Sequence, residues 1–469
     1  MPAITRPARV TAADSLAVAA TLVLPALAQG VVVRRPSMVR LAALTRAEER
    51  AIRLLRRLRA TYGDGPLLVP VPGRGRVMLP LASRDVRAVL EDRAFSPASR
   101  DKRGALAHFQ PDGVLITPER DLRDRRRALN EQVLHTGRVP VTEIAALAGS
   151  GATGPGATRA AAGITEASTL ARISAEEAAT LPRHGTLTWP LFQAAHWRLA
   201  RRVVLGDGAR HDVTLTRQLD RLRRDANWAW LRGQRTDVRN AFQRRLAAHL
   251  ARAEPGSLAG EPARTQAAAD VHAEGQVPHW LFAYDAGAMA AYRALALLTS
   301  PMCRQDAGSQ DQGSVDRGRQ GGGSAGDTGV PEADRLRAAV LESVRLWPTT
   351  LAILREVTGP NPWDLPIGTT VVIHSPYVNR EEPGASYRPD LWLEGGPEPG
   401  HDGGTWAGVP FSGGFARCPG EDLVLATSAA LLGAFLRERT VRPSVTLENP
   451  MPVTFDHFRL RFTINAAER

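Results

Sequence analysis

The sequence predicts a mainly α-helical protein with a minor β region, and three observations carry that reading. Leu44–Gly63 places apolar residues at helical spacing and stops at a glycine. Val277–Leu298 and Glu421–Leu436 are apolar almost all round, as buried helices are. Strand signals are confined to Thr369–Val378 and roughly the last 30 residues.

Taken in order, the elements justify themselves locally. Arg6 and Arg9 precede the apolar run Ser15–Gly30, which resembles a secretory signal peptide. Pro25 interrupts it, so it reads better as a surface helix leading into the fold, too short and broken to span a bilayer. Pro66–Ser83 has hairpin character around Gly73 and Gly75. Gly149–Gly163 reads as a loop. Ser300–Pro331 is rich in Gly, Gln and Asp and reads as a disordered insertion, with Cys303 at its edge.

Composition bounds the function. A chain of 469 residues with 43% apolar content builds a sizeable core, in one large domain or in two or three. Two cysteines exclude a disulfide framework, a four-cysteine zinc site and a thiolate-held iron–sulfur cluster, and fit a reducing compartment, hence the cytoplasm. The net charge is +12, yet Lys102 is the only lysine. The arginines are spread rather than massed in a tail, which argues against a nucleic-acid partner.

Cys418 stands in the glycine-rich stretch Pro410–Gly420, directly before the apolar helix. Gly413, Gly414 and Gly420 allow a tight turn and close approach to a flat ligand. A thiolate before a helix N-terminus is stabilised as an anion by the dipole. By itself, though, the loop reads first as a buried structural cysteine in a turn.

Phe411, Gly414, Cys418 and Gly420 follow the spacing F-x-x-G-x-x-x-C-x-G, which resembles the haem-binding loop of the cytochrome P450 family. Upstream, Glu342 and Arg345 resemble that family's E-x-x-R ion pair; at i, i+3 on a helix they are neighbours, and the apolar residues around them suggest partial burial. Further matches fall in the same order along residues 35–465. Arg355 sits where the family places an arginine against a haem propionate, and the hairpin after it and "YRPDLWL" correspond as well. "DLRDRRRALNEQVL" resembles the W-x-x-x-R helix, with Leu122 for the aromatic and Arg126 for the arginine.

The resemblance implies one domain over residues 1–469, a triangular helical fold enclosing haem b, with 1–35 as a leader segment and 300–331 as the insertion. It makes Cys418 the iron ligand, whose thiolate favours O–O cleavage. It departs from the family twice. Where the family has arginine two residues before the cysteine, this chain has Ala416, with Arg417 one step later. Arg417 stays a cofactor-binding candidate but points elsewhere, so propionate neutralisation falls to Arg355, Arg126 and His374. In the distal helix, Asp285 aligns with the family's acid, but Ala286 replaces the proton-relaying threonine; Ala283, Ala286 and Gly287 leave room for O2 and substrate.

The implied activity is monooxygenation of a small organic substrate with O2. Electrons come from a separate soluble donor, an acidic ferredoxin or flavodoxin with its reductase, as in soluble bacterial members. A peroxide-driven oxygenase or a rearranging haem-thiolate enzyme is the alternative. A non-catalytic haem sensor is the alternative outside enzymes.

Overall fold

The computed structural model describes residues 5–71, 75–150, 162–301, 332–393 and 406–467. The expected insertion therefore lies, from Met302 onward, outside the described residues, as do positions 151–161 of the expected loop and Cys303. The remainder is mainly helical with two sheets, as the hydrophobic periodicity predicts.

The helix starting at Ala47 runs to Tyr62, and Gly63 ends it at φ +89°, a left-handed position that a Cβ would strain. The predicted hairpin forms from β2 (Leu67–Val71) and β3 (Gly75–Leu79). A second hairpin pairs β6 (Ala352–Val357) with β7 (Thr370–His374), so that Arg355 lies opposite Val371. With β1 (Ala8–Arg9) and β4 (Phe95–Ser96) these complete a six-stranded sheet of order β1-β2-β3-β7-β6-β4. β5 (Gly185–Thr188), β9 (Arg461–Ala466) and β8 (Arg439–Pro443) make a three-stranded antiparallel sheet in that order.

The central helix, Val277–Thr299, is buried along nearly its whole length. It packs on the helices Trp189–Leu205, Glu332–Leu346 and Glu421–Arg437. Its buried Leu295 and Leu297 each contribute about 2 kcal/mol by leaving water. Tyr292 ties it to the small sheet by donating to the carbonyl of Leu460 at 2.8 Å.

Glu342 and Arg345 are not partly but wholly buried. Arg345 grips both carboxylate oxygens, at 2.6 and 2.7 Å, and donates to the carbonyls of Asn379, Gly384 and Ser386. Glu342 also accepts from the Trp392 indole at 2.8 Å and the Arg388 amide at 2.7 Å. Two buried charges are tolerated because every hydrogen-bonding direction is used.

The N-terminal segment belongs to the fold. β1 adds a parallel strand to β2. Ala12–Gln29 is one helix, with π-helical residues Ala19–Val23 just before Pro25. That wider turn accommodates a residue lacking its N–H. The helix is continuous where the sequence suggested a break, and with mean hydropathy 1.5 its length and apolarity match a span, a test that signal sequences and the core helices of soluble proteins also pass; the expectation that it is not a span is not overturned.

Hydrophobic packing separates into two cores, one among the helices and one around the six-stranded sheet. Between them lies a cavity of about 1570 Å³, lined by Met289, Ala290 and Val340 from the first core and Val69, Ile353 and Val409 from the second.

Candidate active site

Cys418 is on the wall of this cavity. Its amide donates to the Phe411 carbonyl at 3.0 Å, and Phe411 lines the cavity too. The loop can close only with glycine at 414. That residue has φ +60°, and a Cβ there would lie 2.0 Å from the Leu90 carbonyl oxygen. Gly420 has no such constraint, since a Cβ would meet Leu134 at an ordinary 3.7 Å.

The expected thiolate is not a property of this loop alone. Burial pushes the Cys418 thiol up to about 11, and Glu421 adds to that rise. The Gly420 amide, Arg127 and Arg417 pull the other way without overcoming it. A thiolate here needs a cation beside the sulfur.

The central helix presents Phe282, Ala283, Ala286 and Gly287 to the same cavity. Gly287 is small for a second reason: a Cβ would come within 2.8 Å of Val424. Asp285 is not on the wall. Its Oδ2 takes Arg223 at 2.9 Å and its Oδ1 takes Gln193 at 3.0 Å, so both carboxylate oxygens are committed to protein partners. Arg223 does reach the wall and stacks on Phe282, 5.1 Å from the ring centre.

Of the cations on the wall that are withdrawn from solvent, three have no carboxylate partner among the described residues: Arg123 and Arg355, both buried, and half-buried Lys102. Arg355 donates to Ser412 Oγ at 3.0 Å, while its Nε has no acceptor; burial brings its guanidinium down to about 10. Arg123 shares one nitrogen among Ser96, Thr117 and Pro118 and also leaves Nε without an acceptor. Lys102 donates to the carbonyls of Pro97 and Leu354, at 2.9 and 3.1 Å. Its withdrawal from water, with Arg355 nearby, drives its ammonium well below the usual lysine range. Like charges gathered out of water are costly unless an anion joins them. A ligand carrying two carboxylates fits that surplus, so these residues suit haem.

The expected partners distribute differently. Arg126 is buried but off the cavity wall. It donates to the Val271 carbonyl, to Thr117 Oγ1 and to Asp112, so that each of its three nitrogens is tied to protein. The helix Arg120–Val133 turns Arg123 and Arg127 to the cavity. Arg417 lines the cavity, with Nε and one terminal nitrogen given to Glu421, at 2.7 and 2.8 Å. His374 lines it as well, with Nε2 3.4 Å from buried Glu48 and Nδ1 without a partner. Lys102, Arg123, Arg127 and Arg223 were missed. Lys102 alone left a signal in the sequence, as one lysine in a chain that otherwise uses arginine.

No family model matches the chain, and no curated protein does. Solved structures do. The chain is similar to CYP175A1 from Thermus thermophilus, at 19% identity over 92% of this chain and 98% of that one, with a TM-score of 0.60. A six-coordinated cytochrome P450 from another strain of the same species matches at 17% identity, over 88% and 98% of the two chains, with a TM-score of 0.57. A cyanobacterial CYP120A1 with bound retinoic acid matches at 14%, over 88% and 94%, with a TM-score of 0.60.

Proposed function

We propose that this chain, which has the cytochrome P450 fold, is a haem-thiolate monooxygenase acting on an apolar organic substrate. The observation that carries the reading is one cavity whose wall holds Cys418 together with three buried or half-buried cations lacking carboxylates. Its volume, about 1570 Å³, exceeds what one drug-sized ligand fills, roughly 300–1,000 Å³, and so admits substrate beside a prosthetic group.

Haem b, held through Cys418, supplies dioxygen activation: one oxygen atom enters a substrate C–H bond, and two electrons and two protons carry the other to water. The chain's residues do the rest. Lys102, Arg123 and Arg355 neutralise the propionates, and His374 offers Nδ1. Gly414 keeps the loop closed against Leu90. Ala283 and Ala286 leave space for substrate, and Phe282 gives it an apolar face. Asp285, one residue from Ala286, orients Arg223 toward the cavity wall and gives the proton path an acceptor. Because position 286 has no hydroxyl, water or the substrate's own polar group must complete the proton path.

A net charge of +12 suits an acidic ferredoxin or flavodoxin as donor. The low cysteine count suits a reducing cytoplasm. Ala286 also favours a second reading, a peroxide-driven oxygenase, which needs no relay.

Reduced protein with carbon monoxide tests the ligand. The band should lie well to the red of a histidine-ligated haem, vanish in Cys418→Ser and persist in Cys303→Ser. Loss in Cys303→Ser alone would overturn the assignment. Product formed with a donor and NADPH supports the first reading, product with peroxide only the second, and haem binding without product a sensor.

A further inference from the structure

Along the first half of the central helix, His279, Phe282, Ala283 and Ala286 are half-buried, while the residues between them are buried. Their spacing of i, i+3, i+4 and i+7 puts all four on one face, and all four line the cavity. The surface they leave open therefore belongs to the cavity. His279 is the only polar side chain of the four. The other rings of this stretch go elsewhere: Trp280 is buried and donates its indole N–H to Asn130 at 2.7 Å, and Tyr284 is buried beside the His196 ring.

The imidazole is held in one place and in one state. Its Nδ1 lies 3.1 Å from Oε1 of Gln110, a fully buried amide. An amide oxygen only accepts, so Nδ1 carries the proton. Burial, with Lys102 nearby, brings the pKa down to about 4, so the ring is neutral at neutral pH. Nε2 then bears a lone pair, and it takes no partner among the described residues. Phe282 meets the ring edge-on with centroids 4.7 Å apart, and Phe109 braces Phe282 in turn at 5.6 Å. The result is a fixed hydrogen-bond acceptor set in an otherwise apolar face.

From this geometry we infer that His279 sets substrate specificity: its Nε2 accepts a hydrogen bond from a substrate hydroxyl, which selects apolar alcohols and phenols over the corresponding ketones. A ketone or ether oxygen brings only lone pairs and cannot satisfy Nε2. A carboxylic acid is ionised at neutral pH and has no proton to offer. An ammonium group could donate, but Arg223, stacked on Phe282 at 5.1 Å, makes this part of the wall cationic and repels it. The hydroxyl is the donor that remains. His279 precedes Ala286 by two helical turns, roughly 10 Å along the axis. An alcohol anchored at His279 thus lays its apolar body over Phe282 and Ala283 and presents at Ala286 a carbon about that far from its oxygen.

The inference rests on the proposed reading of the cavity as a substrate site, and its test tells the two apart. Purified holoprotein is titrated by calorimetry with α-tetralol, α-tetralone and tetralin, which share a ring skeleton and differ in one group. The parent should bind the alcohol about fivefold tighter than the ketone, the worth of one hydrogen bond. His279→Phe should erase that difference by weakening the alcohol alone, with the ketone and tetralin unchanged within about twofold. Should His279→Phe unfold because Gln110 loses its donor, His279→Phe combined with Gln110→Leu, which leaves no buried amide unmatched, replaces it. A ketone bound as tightly as the alcohol, or an alcohol affinity indifferent to these variants, overturns the inference, while tetralin binding keeps the cavity as the substrate site. Binding of none of the three overturns both. Haem ligation by Cys418 is judged separately, by the carbon monoxide band.

Discussion

Lys102 has no acidic partner among the described residues and spends its hydrogen bonds on two carbonyls. If it serves a propionate, Lys102→Met should speed haem loss roughly tenfold, the worth of about one charge-assisted hydrogen bond. The transfer of haem to apomyoglobin measures this, and an unchanged rate would remove Lys102 from the site. Arg126→Met should instead lower stability and leave haem loss near the parent's, because its three partners are all protein. Ala286 is the other residue on which chemistry turns. Without its hydroxyl, poor substrates should release much hydrogen peroxide per NADPH consumed. Ala286→Thr should lower that ratio, since a positioned acid–base group contributes about 10²–10⁴-fold. A ratio that does not respond would show that another group delivers the proton.

Among the elements, the helix Glu332–Leu346 depends most on one interaction. Glu342→Ala would leave the Arg345 guanidinium buried without its carboxylate and strip the Trp392 indole and Arg388 amide of their acceptor. Breaking a buried pair this way costs about 3–5 kcal/mol. The urea midpoint should fall accordingly, and a shift too small to resolve would mean that water reaches the pair. The helix Trp189–Leu205 carries a different liability in His196, which is buried with neither ring nitrogen hydrogen-bonded. Burial lowers its pKa from 6.5 to about 4, although Asp285 partly offsets this. A depressed histidine stays neutral in the folded chain while the unfolded chain takes up its proton. Stability is therefore full above pH 6.5 and drains away between 6.5 and about 4, by up to roughly 3 kcal/mol. His196→Phe should flatten that part of the pH–stability curve.

Across the whole molecule, the active site is a product of two cores meeting. The helical core brings the alanine face of the central helix, and the sheet core brings Arg355 and His374 on adjacent strands. The cysteine loop bridges them, since Phe411 packs on the helical core while Val409 belongs to the sheet core. Anything that loosens their contact, such as Gly414→Ala at the Leu90 approach, should open the cavity and lower haem affinity together.

By itself the sequence determined what depends on local periodicity and short spacing. Helices such as Ala47–Tyr62, the central helix, both hairpins, the Cys418 loop and the Glu342–Arg345 pair were legible because each is set by residues within a few positions of one another. Tertiary structure alone decided which polar groups face the cavity. Arg123, Arg126 and Arg127 lie on one short, arginine-rich helix, and only its packing against Thr117 and Val271 selects which of them turns inward. Asp285 was read as the acid that feeds protons, and only the fold shows that its carboxylate is taken up by Arg223 and Gln193, from helices far away in the chain. The charge state of Cys418 follows the same rule: a helix N-terminus can be read from sequence, whereas the burial that outweighs its dipole exists only once the chain has closed around the thiol.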